Sequence, residues 1–223
     1  MPLDIKSIVD GKKIVLVMIP NVKYPTTIMK LAKALENNSN LSLYISLNKL
    51  YETLIANMKD KGIDTKKFCF IDAITKTIKE PTPAKGCAFV ASPNALTEMS
   101  LQLAVHIEDH QPTAVLFDSL STLLVYDTST TVTRFVHSLI QQIRSAGSSA
   151  IFTALEGDTD SALVKQLSLF VDEVIKLDGD SILVGSAPKG EALAEQVQVR
   201  EQAPKQPSEA TPEKPAPEES STS

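Results

Sequence analysis

Residues 112–126 read "PTAVLFDSLSTLLVY". Four apolar residues, Ala114 to Phe117, run directly into Asp118, and a Ser/Leu-rich stretch follows before the next helical pattern. A run with no polar face suits a strand covered on both sides, as in a parallel sheet. In such sheets, functional groups gather outside the carboxyl ends of the strands, which is where Asp118 falls. An apolar run ending in Asp is common, and a strand-terminal cap is its plain reading, so the neighbouring segments decide.

Working outward, β-rich runs alternate with helical patterns. Strands are expected at "KIVLVMI" (13–19), "SLYISL" (42–47), "FCFIDA" (68–73), "CAFVAS" (87–92), "AVLFDS" (114–119), "SAIFTAL" (149–155), "EVIKL" (173–177) and "SILVG" (181–185). Ile28, Leu31, Ala32 and Leu35 follow the 3.6-residue period, as do Leu96, Met99, Leu103 and Ile107. The clearest helix carries Val132, Phe135, Val136, Leu139, Ile140 and Ile143 and stops at Gly147. "EVIKLDGDSILV" reads as a hairpin around Asp178-Gly179-Asp180. The expected fold is a three-layer α/β domain: a mostly parallel, twisted sheet with helices on both faces and a C-terminal β-hairpin. Function is then sought at 20–27, 48–51, 118–122 and 156–160.

The 223 residues suit one such domain, and 43% hydrophobic content supplies a sizeable core. Residues 186–223 differ. They hold 6 of the 13 prolines, no aromatic residue and Pro/Glu/Ser repeats, a composition that does not offset chain entropy. The chain therefore divides into a folded domain, 1–185, and a disordered acidic tail, 186–223. Seven Glu against four Lys and Arg give the tail a charge of −3; the whole chain is −5, leaving the core at −2. This lacks the basic excess of a dedicated nucleic-acid binder, although a local basic patch remains open. Cys69 and Cys87 lie in apolar runs and read as small buried hydrophobes in a reducing compartment. No stretch approaches the length of a membrane span, and a cytoplasmic protein is expected.

The segment "KIVLVMIPNVKYPTTIMKLAKAL" (13–35) has the strand–loop–Thr-Thr–helix layout of a P-loop. "AVLFD" then matches a Walker B element, whose carboxylate helps hold Mg²⁺ near phosphates. With "FDSLSTLL" before a long helix, "LSLYISLNKLYETLIANMKDKGID", and "SAIFTALEGDTDSALVKQLSLFVDEVIKLDG", the chain resembles the RecA superfamily. The likeness is greatest to small KaiC-like proteins of archaea, and it covers most of residues 12–185. It implies a RecA-like fold, an ATP–Mg²⁺ site and side-by-side assembly. In that fold the strand at 149–155 lies between those at 13–19 and 114–119.

The departures bear on chemistry. With Thr26 on the Ser/Thr of G-x-x-x-x-G-K-S/T, Ile19 and Tyr24 occupy the glycine positions and Pro25 the lysine position. Glycine lets the loop curl with its N–H groups toward phosphate. Pro25 instead suits the first turn of a helix. KaiC-like ATPases carry a glutamate pair after the second strand, where this chain has Asn48 and Lys49; neither serves as a carboxylate base. Glu52, one helical turn on, reads as solvated.

The expectation is a catalytically degenerate domain with no confident cofactor, acting through protein partners or copies of itself in regulation, scaffolding or assembly. The alternative is a divergent ATP–Mg²⁺ site or slow ATPase built on Lys23, Thr26, Thr27, Asn48 and Asp118, with Asp118 as the candidate Mg²⁺ ligand. A DNA-repair accessory role rests on fold analogy alone. The pair His106/His110 lacks a third metal ligand and suits a helix end. The acidic loop Glu156, Asp158 and Asp160 reads as turns and a helix cap.

Overall fold

The computed structural model describes residues 4–157, 161–178 and 181–185. The expected tail at 186–223, the loop acids Asp158 and Asp160, and the hairpin-turn residues Gly179 and Asp180 lie outside the described residues. The described residues belong to one compact unit, Met1–Pro188.

All eight expected strands form: β1 (Ile14–Pro20), β2 (Ser42–Ser46), β3 (Phe68–Asp72), β4 (Cys87–Phe89), β5 (Ala114–Asp118), β6 (Ser149–Glu156), β7 (Glu173–Asp178) and β8 (Ser181–Gly185). They make one sheet in the order β4-β3-β2-β5-β6-β1-β7-β8. Every neighbouring pair is parallel except β7 with β8, which are antiparallel. β6 lies between β1 and β5, with Leu16 opposite Phe152 on one side and Leu116 opposite Ile151 on the other. That is the RecA-type order.

Strand alternation divides the core in two. From β1, Ile14, Leu16 and Met18 pack beneath α5 (Leu96–His110), α6 (Leu120–Tyr126), α7 (Ser129–Ser145) and α8 (Ser161–Leu167). Val15, Val17 and Ile19 face α1 (Ile5–Asp10), α2 (Tyr24–Asn38) and α3 (Tyr51–Asp60). A one-turn α4 (Thr75–Ile78) follows β3. Helices on both faces explain why β1 and β5 carry no polar alternation.

Helix α7 shows how sequence becomes packing. Thr128 caps its N-terminus by accepting from Thr131 N, and all six periodic apolar residues are buried. Gly147, at φ +68°, turns the chain toward β6, a backbone region that L side chains avoid.

Three details differ from expectation. Residues 120–126 form helix α6, where the sequence suggested only a Ser/Leu-rich connection. Helix α1, capped by Asp4, was not anticipated. Cys87 is half-buried rather than buried like Cys69.

Leu139 is fully buried within the α7 stripe. Leu139→Ala is expected to cost about 2–5 kcal/mol, while Leu101→Ala, on the exposed face of α5, is expected to stay within about 0.5 kcal/mol. Urea unfolding of both variants checks this.

Candidate functional site

Strand β5 is buried throughout, and its period-2 alternation sends Leu116 and Asp118 toward the α2 side of the sheet. Asp118 is itself 1% exposed. A carboxylate this deep needs hydrogen-bond donors, and three neutral side chains supply them. Tyr44 Oη donates to Oδ2 at 2.6 Å, and Asn48 Nδ2 donates to Oδ1 at 2.8 Å. Tyr24 Oη also donates to Oδ1, in a short contact.

Each donor comes from a different element. Tyr44 is fully buried in β2, whose residue Ser46 lies opposite Asp118. Asn48 follows the end of β2; Thr122 donates to its Oδ1, which orients the amide so that Nδ2 faces Asp118. Tyr24 opens α2. Its hydroxyl also lies 2.8 Å from Thr153 Oγ1. Thr153, fully buried in β6, donates to the Phe117 carbonyl at 2.9 Å. The Asp118–Ser119 peptide bond is cis.

Burial pushes the phenols of Tyr24 and Tyr44 well above the ordinary tyrosine value. The neighbouring Asp118 carboxylate adds to both shifts, because a second negative charge beside it is disfavoured.

The connection between β1 and α2 is short. Strand β1 continues through Pro20, with Ile19 opposite Leu155 and Pro20 opposite Glu156. A 3-10 turn, Asn21–Lys23, then leads directly into α2. The first glycine position of the expected phosphate loop is therefore occupied by a strand residue, Ile19, that is fully buried. The second is Tyr24, whose hydroxyl donates to Asp118. Pro25 lies in the first turn of α2, as its chemistry suggests.

Of the residues singled out in the sequence, Asp118 and Asn48 are brought into direct contact. Lys23 is exposed at the end of the turn, Thr26 is exposed and Thr27 half-buried on α2; no hydrogen bond joins these three to Asp118. Glu52 is exposed and pairs with Lys79 at 2.6 Å. His106 is buried with Nδ1 2.8 Å from the Gln102 carbonyl, and burial lowers its pKa. His110 ends α5 as expected, and among the described residues no group of three His, Cys, Asp or Glu has metal-holding geometry. Tyr44, Thr153 and Thr122 were not anticipated.

Asp72 is the matching carboxylate two strands away, at the end of β3 on the far side of β2, and it is structural. It accepts from the backbone N–H of Tyr51 at 2.6 Å, Ile74 at 2.7 Å and Thr75 at 2.8 Å, tying the starts of α3 and α4 to the end of β3. At Asp118 side chains do this work instead. A cleft of about 300 Å³ opens beside it, lined by Asn21, Tyr24, Asn48, Lys49, Thr122 and Leu155 among others.

Residues 59–177 match a family of unknown function, DUF7504. No curated protein matches the chain by sequence. Among solved structures, a KaiC-like protein from the hyperthermophilic archaeon Pyrococcus horikoshii aligns over 80% of each chain, with a TM-score of 0.57 and 14% identity. At that identity the likeness establishes the fold, which is that of a KaiC-like, RecA-type α/β domain. No described helix is long and apolar enough to cross a membrane.

Tyr44→Phe removes a buried donor from Asp118 and is expected to cost about 1–3 kcal/mol near pH 7. The phenol's pKa is raised in the folded chain, so the unfolded chain releases the proton first. Its contribution is complete below the unfolded value of about 10 and is lost as pH rises beyond it. Urea midpoints measured from pH 8 to 11 are therefore expected to fall less steeply at the alkaline end for Tyr44→Phe than for the unmodified chain.

Proposed function

The chain belongs to a family of unknown function, DUF7504, and we propose that it is a catalytically degenerate RecA/KaiC-like domain. On this proposal it is a cytoplasmic regulatory, scaffolding or assembly subunit that works by binding protein partners or copies of itself. It does not hydrolyse ATP. The observation that carries the proposal is the state of Asp118: the carboxylate that would help hold Mg²⁺ already accepts from Tyr24 and Asn48 on Oδ1 and from Tyr44 on Oδ2.

A metal ion at Asp118 has to break these bonds. Hydrogen bonds to a charged group contribute about 1.5–3 kcal/mol each, and the phenols, kept protonated by burial, do not become metal ligands near neutral pH. The β1–α2 connection lacks the length to curl around phosphates, because Ile19 and Pro20 are committed to pairing with β6. Asn48 and Lys49 offer no carboxylate base. Three independent requirements of ATP hydrolysis are therefore unmet at one strand edge: the phosphate grip, the metal ligand and the base.

A role in binding draws support from apolar side chains at the same edge. Val22 in the β1–α2 turn is 89% exposed, and Val125 at the end of α6 is 79% exposed. Tyr126 beside it is about half exposed. Leu124, Val125 and Tyr126 also line a cleft with Asn48, Thr122 and Leu155, giving partners an apolar surface. The cytoplasmic assignment rests on the unpaired thiols Cys69 and Cys87.

Calorimetric titration with ATP and Mg²⁺ tests the proposal, and no saturable heat that depends on Lys23 or Asp118 is expected. Micromolar affinity that disappears in Lys23→Ala or Asp118→Ala overturns it in favour of a divergent nucleotide site. Steady phosphate release abolished by Asp118→Ala does the same.

A further inference from the structure

A larger cleft than the one Asp118 lines lies beside it, between α2 and α3. It has a volume of about 530 Å³ and is lined by Met29, Lys30, Lys33, Lys49, Asn57 and Lys61, with Pro25, Thr26 and Asp60 at its margins. Thr26, Met29, Lys30 and Lys33 fall at i, i+3, i+4 and i+7, one stripe of α2. Asn57, Asp60 and Lys61 form the facing stripe, running off the end of α3. The walls thus carry four ammonium groups against one carboxylate.

The charge is also regional. Residues 21–67 hold eight lysines against two Asp and two Glu, a net of +4 in a chain whose total is −5. The lysines are spread over α2, the β2–α3 connection, α3 and the segment after it, and folding gathers four of them around one hollow. Lys33 is held in place: its Nζ lies 2.6 Å from Glu36 Oε2 and donates to the Gly62 carbonyl at 2.7 Å. Lys61 beside Asp60 is an exposed pair at 3.5 Å, a geometry that leaves the ammonium available to a stronger anion.

We infer that this cleft binds a small ligand bearing two or more phosphate groups. Several ammonium groups converging on a hollow suit a multiply charged phosphate chain, and Asn57 and Thr26 add neutral polar groups. Met29, nearly buried in the floor, offers an apolar surface to the rest of such a ligand. The volume is that of a small-molecule site, which favours a compact ligand over a nucleic-acid backbone. Nucleic acid needs a continuous basic track, and Glu52, Asp60 and Asp64 interrupt the basic residues of this segment. The cleft shares Pro25 and Lys49, but not Tyr24, Asn48 or Asp118, with the cleft beside Asp118, so Lys61→Glu separates this inference from the reading of Asp118.

Inorganic tripolyphosphate is the probe, titrated calorimetrically into the full chain at low and moderate salt. Saturable binding is expected, weakened about 10-fold or more in each of Lys49→Glu and Lys61→Glu, since each removes a charge-assisted contact. Lys6→Glu, on α1, and Lys23→Glu, on the β1–α2 turn, are expected to bind as the unmodified chain does. Thermal unfolding of each variant confirms that it is folded. Four results overturn the inference: no tripolyphosphate binding; equal weakening in Lys6→Glu, which makes the effect one of net charge; selective loss in Lys23→Glu, which moves the site to the strand edge; or tight binding of duplex DNA without tripolyphosphate binding. Only the Lys23→Glu outcome also bears on the strand edge at Asp118; the other three leave that reading untouched, so the two readings fail separately.

Discussion

The carboxylate of Asp118 constrains everything around it. Placed at the end of a strand that is buried on both faces, it is cut off from bulk water and must be satisfied by whatever the fold brings within reach. The fold brings a phenol from β2, a phenol from the first residue of α2 and an amide from the loop after β2. These bonds tie two strands, the loop after one of them and one helix start to a single charge. The entry angle of α2, the position of Asn48 and the packing of Thr153 against Tyr24 follow from it. A buried charge solvated only by neutral dipoles is a structural device, and removing any one donor leaves the rest carrying a desolvated anion.

The same arrangement separates architecture from chemistry. RecA-type order, with β6 between β1 and β5, needs the strand–turn–helix at residues 14–38 as a crossover unit, whatever the turn contains. The turn is therefore free to change so long as β1 and α2 remain in place. Here it has become three residues long, with Val22 directed to solvent and Tyr24 directed inward. The helix start that would otherwise face an anion faces a protein carboxylate instead. Val22, Val125 and Tyr126 are exposed at the same edge.

How much of this was legible in the sequence depended on the range of the interaction. All eight strands were visible because each is a short apolar run bounded by polar residues, and α7 was visible because six apolar positions keep its period over three turns. Helices α1 and α6, with six and seven residues, are too short for a period to register. Asp118 and Asn48 stood out by their position after strands. Tyr24 stood out as a misfit in a glycine position, but its partner did not, because that pairing spans 94 residues. Tyr44 looked like one more apolar-run residue; only the β2–β5 register aims its hydroxyl at Asp118. The lysine-lined cleft was hidden for a similar reason, its cations being scattered along the chain within a nearly neutral core.

The central claim is that Tyr24 holds the place in front of Asp118 that a nucleotide's metal would need. The most direct measurement is the ¹³Cζ NMR signal of Tyr24, assigned by its loss in Tyr24→Phe, recorded near pH 8 with and without excess ATP and Mg²⁺. The account predicts the signal of a protonated, hydrogen-bonded phenol that does not move when nucleotide and metal are added. A shift of that signal to the position of a solvent-exposed tyrosine on adding ATP and Mg²⁺, reversed by removing the metal, contradicts it.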